Sequence, residues 1–434
     1  MATNGHTTAN SGAGMQPQRK SALSIAIDNF TPLWFTICMD TGVLSIIMNL
    51  LPYQFRGLGV LSTIMFIFNI VLFVFFTLVS IAKHVSQRSK GRSAHHSYVK
   101  NRILSNLEEL SYLGAPAIAY LTLVAQVTLT CSTAWGYSWT IVAYVLWWIG
   151  LVWTVTLCSA SVILLSKYQI TSDREISPVI FLPLIGVMTL GTTGGLVTNY
   201  SVDMSATLAI PVIIVGYLAI GYALFLSLLY YSYLAHRLLA VGIPEPTKVP
   251  TLVVAVGPMG QFATAIQVLS TAASKRGLFG EYQEGTWLQA SAASSVSAAS
   301  VLIALLALGF AFLWITVAWY IVIETLFKRL LPFNLTWWSL IFPMGVFTTA
   351  LLNLSNGLNS PAFRGLTTAL LIFLLAIYFI NWAGTFYRLY TGQALGVPQH
   401  RLEEDEQAKQ KKERLSDHVA RDTPGNGNEN GRNV

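Results

Sequence analysis

The chain has 434 residues, of which 54% are hydrophobic and only 10% charged, with a formal net charge of +7. Soluble domains carry about 25% charged residues, so this composition excludes an ordinary soluble protein and predicts an integral membrane protein. The seven histidines lie in tails, in connections or at the ends of apolar runs. Neither a metal site, a cofactor nor an enzyme's nucleophile–base pair is therefore expected. The positive charge is attributed to contact with anionic lipid, not to nucleic-acid binding.

Ten apolar runs follow one another along the chain, each long enough to cross a bilayer as a helix of roughly 20 residues. Their approximate ranges are 30–52, 57–83, 111–131, 137–166, 178–198, 205–236, 250–271, 287–327, 336–355 and 363–390. The pattern predicts an all-α integral membrane protein with a transporter domain at 28–391. The polar segments at 1–27 and 392–434 are expected to be disordered cytoplasmic tails.

The odd-numbered runs share a proline within the run. These prolines are Pro32, Pro116, Pro183, Pro258 and Pro343. A proline removes a backbone hydrogen bond and bends or breaks a helix, which a membrane tolerates where neighbouring helices or a water-filled cavity satisfy the freed groups. The sequence therefore predicts five helical hairpins whose odd helices bend and line a central pore. Pro211, early in the sixth run, is an exception to the alternation.

The lysines and arginines are concentrated in every second connection and in the two tails. With ten spans, 22 of the 26 lysines and arginines fall on the side that also holds both termini. Because positive residues gather on the cytoplasmic side of a membrane, both termini are expected in the cytoplasm. Asn199 begins an Asn-Tyr-Ser sequon on the opposite side, which makes it a candidate for glycosylation.

Six stretches carry a family resemblance: NFTPLWFTICMDTGVLSII at 29–47, LPYQF at 51–55, YVLWW at 144–148, GPMGQ at 257–261, FPMG at 342–345 and AFRGL at 362–366. Together they resemble the fungal sulfite efflux pumps of the tellurite-resistance/dicarboxylate transporter family, which also contains malate permeases and plant slow anion channels. The resemblance implies a homotrimer with one pore in each subunit, lined by the odd helices. It also implies a gate at Phe342, the position that matches the pore-plugging phenylalanine of plant and bacterial relatives.

The remaining candidates for the substrate path lie beside the prolines and in the matching stretches. They are Asp40, Thr41, Gly42, Gly257, Gln261, Gly345 and Arg364. The glycines either allow close helix packing or expose backbone carbonyls to the pore. Gln261 either donates to an oxyanion or forms an interhelical hydrogen bond. Arg364 either reaches the lipid headgroups or draws anions to the pore mouth.

Asp40 is an ionisable residue deep within a run, where charge is costly and often functional. It departs from the family pattern, which has a small residue here. Three interpretations stay open for it: a buried, hydrogen-bonded structural carboxyl, a site for a proton that moves with the anion, or a pore-facing group that disfavours divalent anions.

We therefore expect a multi-pass plasma-membrane transporter that exports sulfite or bisulfite, a small inorganic anion. The alternatives are a malate or other dicarboxylate permease, or another small-anion channel, on the same fold. A larger, doubly charged substrate would require positive side chains along the path. Since no lysine or arginine lies deep in a run, the sequence favours the small anion.

Overall fold

A computed structural model describes residues 21–89, 107–168 and 176–396. Within these ranges, ten helices are long and apolar enough to cross a membrane, and we label them α1 to α10 in chain order. They are Pro32–Leu50, Leu58–Ser89, Leu107–Trp135, Tyr137–Lys167, Pro178–Tyr200, Ala206–Val241, Pro246–Ser274, Ala290–Phe327, Leu335–Gly357 and Pro361–Tyr390. The described residues contain no strand beyond a single bridge between Glu284 and Leu288. The prediction of an all-α membrane protein with ten spans is confirmed.

Backbone contacts divide the chain into two units, one from Phe30 to Tyr387 and one that joins the two terminal segments. In the terminal unit, Ala22–Asn29 form a short helix, and Asn29 Nδ2 donates to the carbonyl of Leu395 at 2.9 Å. This helix overlaps the end of the tail expected at 1–27. The rest of that tail, the basic connection at 90–106 and the tail beyond 396 lie outside the described residues.

Burial separates the ten helices into two classes. In α1, α3, α5, α7 and α9, between 67% and 94% of the apolar window is buried, whereas the even-numbered helices bury only 17% to 39%. An apolar helix with most of its surface exposed is suited to contact with lipid, and one that is buried all round belongs to the interior of its fold. The odd-numbered helices are therefore the inner layer and the even-numbered helices the outer layer.

The five odd helices form a closed ring of contacts. Helix α1 packs on α3, α3 on α5, α5 on α7 and α7 on α9, and α9 returns to α1. On the outside, α2 packs on α1, α4 and α6 on α5, and α8 on α7. This packing is what an inner ring of odd helices requires. The hairpin arrangement and a pore through the ring stay predictions.

The five prolines lie near the points where the odd helices start their regular α-helical parts. Those parts are Phe35–Leu50, Gly114–Gln126, Leu182–Tyr200, Gly257–Ser274 and Phe342–Gly357. In α5, α7 and α9, a 3₁₀ segment comes first and the proline stands in the first α-helical turn, a position that proline tolerates well. Pro32 opens the 3₁₀ turn of α1, and Pro116 follows a break at Leu113.

In four of the odd helices the proline therefore marks a helix start, whereas Pro116 of α3 follows a break between the helical pieces Leu107–Tyr112 and Gly114–Gln126. The spacing of the prolines in the sequence could not make this distinction. Pro211 is the sixth residue of α6, and that helix continues unbroken to Val241. A helix start leaves backbone N–H groups without a carbonyl partner in the same helix. In three of the five, the first N–H group donates to a carbonyl of the 3₁₀ turn ahead of it; these groups belong to Phe35, Leu182 and Gly257.

A glycine lies in each contact between neighbouring odd helices, and we call these contacts the glycine seams. Between α1 and α3, a Cβ added at Gly42 would lie 2.1 Å from Thr122 Oγ1, and between α3 and α5 one at Gly114 would lie 2.7 Å from the Leu182 carbonyl carbon. Between α5 and α7, a Cβ at Gly195 would lie 2.3 Å from Val268 Cγ2. A Cβ at Gly260 would lie 2.9 Å from the Phe347 nitrogen of α9, and one at Gly345 would lie 2.8 Å from Val43 Cγ1 of α1. Small residues at the interfaces of membrane helices let the helices approach closely. The ring is therefore closed at van der Waals distance on all five sides.

Candidate functional site

The contact between α1 and α9 brings together two of the predicted site residues, Asp40 and Phe342. The Asp40 side chain is 0% exposed, and neither of its carboxyl oxygens has a hydrogen-bond partner. The backbone N–H of Phe342 faces this carboxyl group, although their geometry stops short of a full hydrogen bond. Phe342 is the first residue of the α-helical part of α9, so its N–H belongs to the positive end of that helix. An unpaired carboxyl thus faces a helix N-terminus.

The segment ahead of Phe342 is fixed to α10 by two hydrogen bonds. Trp338 Nε1 donates to Thr385 Oγ1 at 3.0 Å, and Asn381 Nδ2 donates to the Trp337 carbonyl at 3.1 Å. These bonds hold the 3₁₀ segment from which the α-helix of α9 starts. The phenyl ring of Phe342 is 2% exposed at this start, and its position is therefore determined by α10 as well as by α9.

Thr41, the neighbour of Asp40, is used in packing between α1 and α10. Its hydroxyl donates to the Ile37 carbonyl at 2.7 Å and lies 2.9 Å from the hydroxyl of Tyr378. Because the hydroxyl proton of Thr41 goes to the carbonyl, Tyr378 is the donor in the second bond. A direct contact of Thr41 with substrate stays a prediction.

Gln261 forms one bond across a seam and leaves one atom unpaired. Its Nε2 donates to Thr192 Oγ1 of α5 at 2.9 Å, while its buried Oε1 has no partner. The interhelical hydrogen bond anticipated as one role of Gln261 is thus present. The amide nitrogen that was expected to donate to an oxyanion is engaged by Thr192.

The three glycines expected beside the path lie against neighbouring helices. Gly42 and Gly345 belong to the glycine seams, and a Cβ at Gly257 would lie 2.6 Å from Ile185 Cδ1 of α5. Their geometry fits the close-packing alternative. A backbone contribution of these glycines to the path stays a prediction.

Arg364 and Asn199 both make hydrogen bonds near the C-terminal ends of odd helices. Arg364 Nη2 donates to Asn359 Oδ1 at 2.7 Å, just beyond the end of α9. Asn199 Nδ2 donates to the carbonyls of Gly195 and Val268, at 2.7 and 2.6 Å. The bond to Gly195 lies within α5, and the bond to Val268 crosses to α7. Because glycosylation attaches to this same nitrogen, modification would disturb both bonds.

One group that sequence reasoning missed is an apolar cluster formed by Ile46, Ala125, Leu129, Leu196 and Val268, with Leu50 packed against it. Its members come from α1, α3, α5 and α7. Since α1 neighbours neither α5 nor α7 in the ring, their side chains meet across its interior. The cluster lies towards the C-terminal ends of these helices, and Leu129 belongs to the π-helical turn Val127–Ser132. Aliphatic residues in apolar runs carry no sequence signal that would have singled them out.

Fixed positive charge is almost absent from the ring. Lys248, at the start of α7, is the single lysine or arginine in the five odd helices, and its Nζ lies 2.6 Å from Glu108 Oε1. Within the described residues, no group of three or more His, Cys, Asp or Glu side chains could hold a metal ion. Any anion inside the ring would have to be met by backbone N–H groups and neutral side chains.

Comparisons with known proteins agree with the resemblance seen in the sequence. The family model described as voltage-dependent anion channel, SLAC1, matches residues 29–386. The sulfite efflux pump SSU1 of Arthroderma benhamiae is 27% identical over 85% of this chain and 92% of its own length, and that of Trichophyton rubrum matches equally well. The malic acid transport protein of Schizosaccharomyces pombe is 22% identical over 79% of this chain and 74% of its own length.

Proposed function

The chain belongs to the voltage-dependent anion channel family and is therefore an anion transporter; from that premise we propose that it exports sulfite or bisulfite across the plasma membrane. The names of the sulfite efflux pumps that match most of the chain support this substrate. The same names and the family support a transporter rather than an enzyme.

The observation that carries the proposal is the closed ring of odd helices with their α-helical starts inside it. Helix N-termini carry partial positive charge, which favours anions without a fixed cation. Transporters use half-helix N-termini in this way at the middle of the membrane. A small, singly charged anion needs no more compensation than such ends provide.

The rival substrate is malate, which the name of the Schizosaccharomyces pombe relative indicates for that protein. A dicarboxylate carries two charges, and its binding would be favoured by lysine or arginine side chains along the path. The one such residue in the odd helices, Lys248, is neutralised by Glu108. The charge distribution therefore favours a small inorganic anion over a dicarboxylate.

Phe342 is the proposed gate, since a bulky apolar side chain in a narrow pore blocks ions by steric exclusion and dewetting. Its burial beside Pro343 at the start of α9 supports this role. Two further points complete the proposal: the protein forms a homotrimer with one pore per subunit, and both of its termini lie in the cytoplasm. The first rests on the family resemblance and the second on the distribution of lysine and arginine.

The proposal is tested with purified protein in liposomes, by measuring the flux of sulfite, nitrate, chloride and malate with and without a pH gradient. We expect sulfite flux well above malate flux, with protein-free liposomes as the control. Malate flux without sulfite flux would overturn the assignment. Comparing the flux measured with and without the pH gradient distinguishes passive transport from proton-driven transport.

A further inference from the structure

We propose that the apolar cluster is a second gate, which lies beyond Phe342 on the same path and closes it by excluding water. The cluster is formed by Ile46, Ala125, Leu129, Leu196 and Val268. This proposal rests on the proposed function, because a gate requires an anion path through the ring. It deepens that function, since the sequence predicts a gate only at Phe342.

The cluster lies across the ring rather than along one of its seams. Its members come from α1, α3, α5 and α7, and they meet although α1 has neither α5 nor α7 as a neighbour in the ring. Side chains of neighbouring helices close a seam, whereas side chains that join helices on opposite sides fill the interior. An ion that follows the axis of the ring therefore meets the cluster.

The cluster and Phe342 occupy different levels of the ring. Phe342 faces Asp40, and Gly345 packs on Val43, so α1 and α9 run side by side in the same direction. Ile46 follows Asp40 by six residues, which places it about 9 Å further along the helix axis. With cytoplasmic termini, the cluster lies on the extracellular side of Phe342. The two groups therefore close the path at separate points.

Polar side chains beside the cluster are engaged by neighbouring helices. On α1, Ser45 donates to the Ser62 carbonyl of α2 at 2.8 Å, and Gln126 of α3 donates to the Ser45 hydroxyl. On α7, Gln267 Nε2 donates to the Ala350 carbonyl of α9 at 3.2 Å. Alkyl groups are therefore what the cluster presents to water and ions. A narrow passage lined by such groups closes by dewetting.

Leu129 belongs to an unusual turn of α3. The turn Val127–Ser132 is π-helical, a rare conformation that is frequently found at functional sites. Its last residue is fixed to the outer layer, because Ser132 Oγ lies 2.8 Å from Thr140 Oγ1 of α4 and accepts from the Val202 N–H at 3.0 Å. The departure from regular helix geometry coincides with the cluster, which supports a role beyond packing.

Two gates in series respond to substitution differently from a packed core. Opening one gate leaves the flux limited by the other, and opening both removes both barriers. A cluster that only packs the helices would lose stability when it is made polar, without any gain in flux. The two cases are therefore separated by a variant that combines a change in the cluster with Phe342→Ala.

The test introduces a polar group with Leu129→Asn, alone and together with Phe342→Ala, in purified protein in liposomes. Asparagine keeps the branched shape of leucine, and its amide binds water. We expect Leu129→Asn alone to change sulfite flux less than about twofold, because Phe342 still blocks the path. The double variant should reach about ten times the flux of Phe342→Ala, since the amide replaces a hydrogen bond that the ion's water loses in the cluster.

The matched control is Leu121→Asn in the same Phe342→Ala background. Leu121 is also buried and lies on α3, but it faces α4, since a Cβ at Gly150 would lie 2.7 Å from its Cδ2. This variant should lose stability and gain no flux over Phe342→Ala. If Leu129→Asn does not fold, Val268→Thr, which keeps the shape of valine, makes the same comparison.

Equal flux in the double variant and in Phe342→Ala would overturn the second gate, and so would an equal gain in the control. A gain in Leu129→Asn alone as large as in the double variant would make the cluster the single gate and contradict the series. Osmotic water permeability of the same liposomes is independent of the anion, and it should rise above that of Phe342→Ala. Such a rise without sulfite flux would refute the proposed function and support the gate, whereas unchanged water permeability would overturn the gate.

Discussion

Phe342 is the residue whose removal should change transport most directly. In Phe342→Ala, the loss of the ring should raise basal sulfite flux several-fold, because the apolar block is gone. Loss of a buried phenylalanine also lowers the free energy of unfolding by about 3–5 kcal/mol. Flux in liposomes and thermal unfolding in detergent measure the two effects separately.

The matched control is Phe279→Ala. Phe279 is 0% exposed, lies in the short helix Leu278–Tyr282 and packs on Trp287 with ring centroids 5.0 Å apart. This variant should lose similar stability and gain no flux. Equal flux in Phe342→Ala and the wild type would contradict the gate.

Two neighbouring glycines on α7 should respond differently to the same substitution. A Cβ at Gly260 meets the backbone nitrogen of Phe347 at 2.9 Å, and one at Gly257 meets only the flexible end of Ile185 at 2.6 Å. Because the backbone of α9 cannot move aside, Gly260→Ala should lower the free energy of unfolding by about 1–3 kcal/mol. Gly257→Ala should cost less, since Ile185 can rotate. Similar unfolding midpoints for both variants would show that the α7–α9 seam is not tightly packed.

At the scale of single elements, the position of the prolines makes Pro258→Ala a mild change. The proline stands in the first turn of its α-helical part, a position that proline tolerates well, so the main cost is the greater freedom of the unfolded chain, about 0.4–1 kcal/mol. Ala263→Pro, six residues into the same α-helix, should cost about 3 kcal/mol or more. Thermal unfolding of both variants checks this, and a severe loss in Pro258→Ala would show that the proline does more than start the helix.

The elements themselves were predictable because length and apolar composition alone decide whether a helix can span a membrane. The start of α9 was not, because its 3₁₀ segment depends on bonds to Thr385 and Asn381 of α10. The same limit applies to Asn199, whose sequon is local while its bond to the Val268 carbonyl of α7 is not. Sequence could single out Asp40 as unusual, but its lack of a partner appears only when all neighbouring helices are in place.

At the scale of the whole molecule, the orientation can be tested with single cysteines. All three native cysteines are buried, so they should react little with a membrane-impermeant maleimide. Lys275→Cys lies after α7 and Glu245→Cys before it, and both positions are exposed. With cytoplasmic termini, intact cells should label Lys275→Cys at once and Glu245→Cys only after permeabilisation. The reverse pattern would place both termini outside.

The glycine seams bear on how fast the transporter can open. Widening a ring that is in van der Waals contact on five sides would separate several helix pairs at once, and collective motions of that kind take microseconds to milliseconds. Rotation of a single side chain in a fixed frame leaves every seam intact and is intrinsically faster. We therefore expect opening to occur by rotamer changes at Phe342 and in the apolar cluster, with a shallow temperature dependence of the open probability.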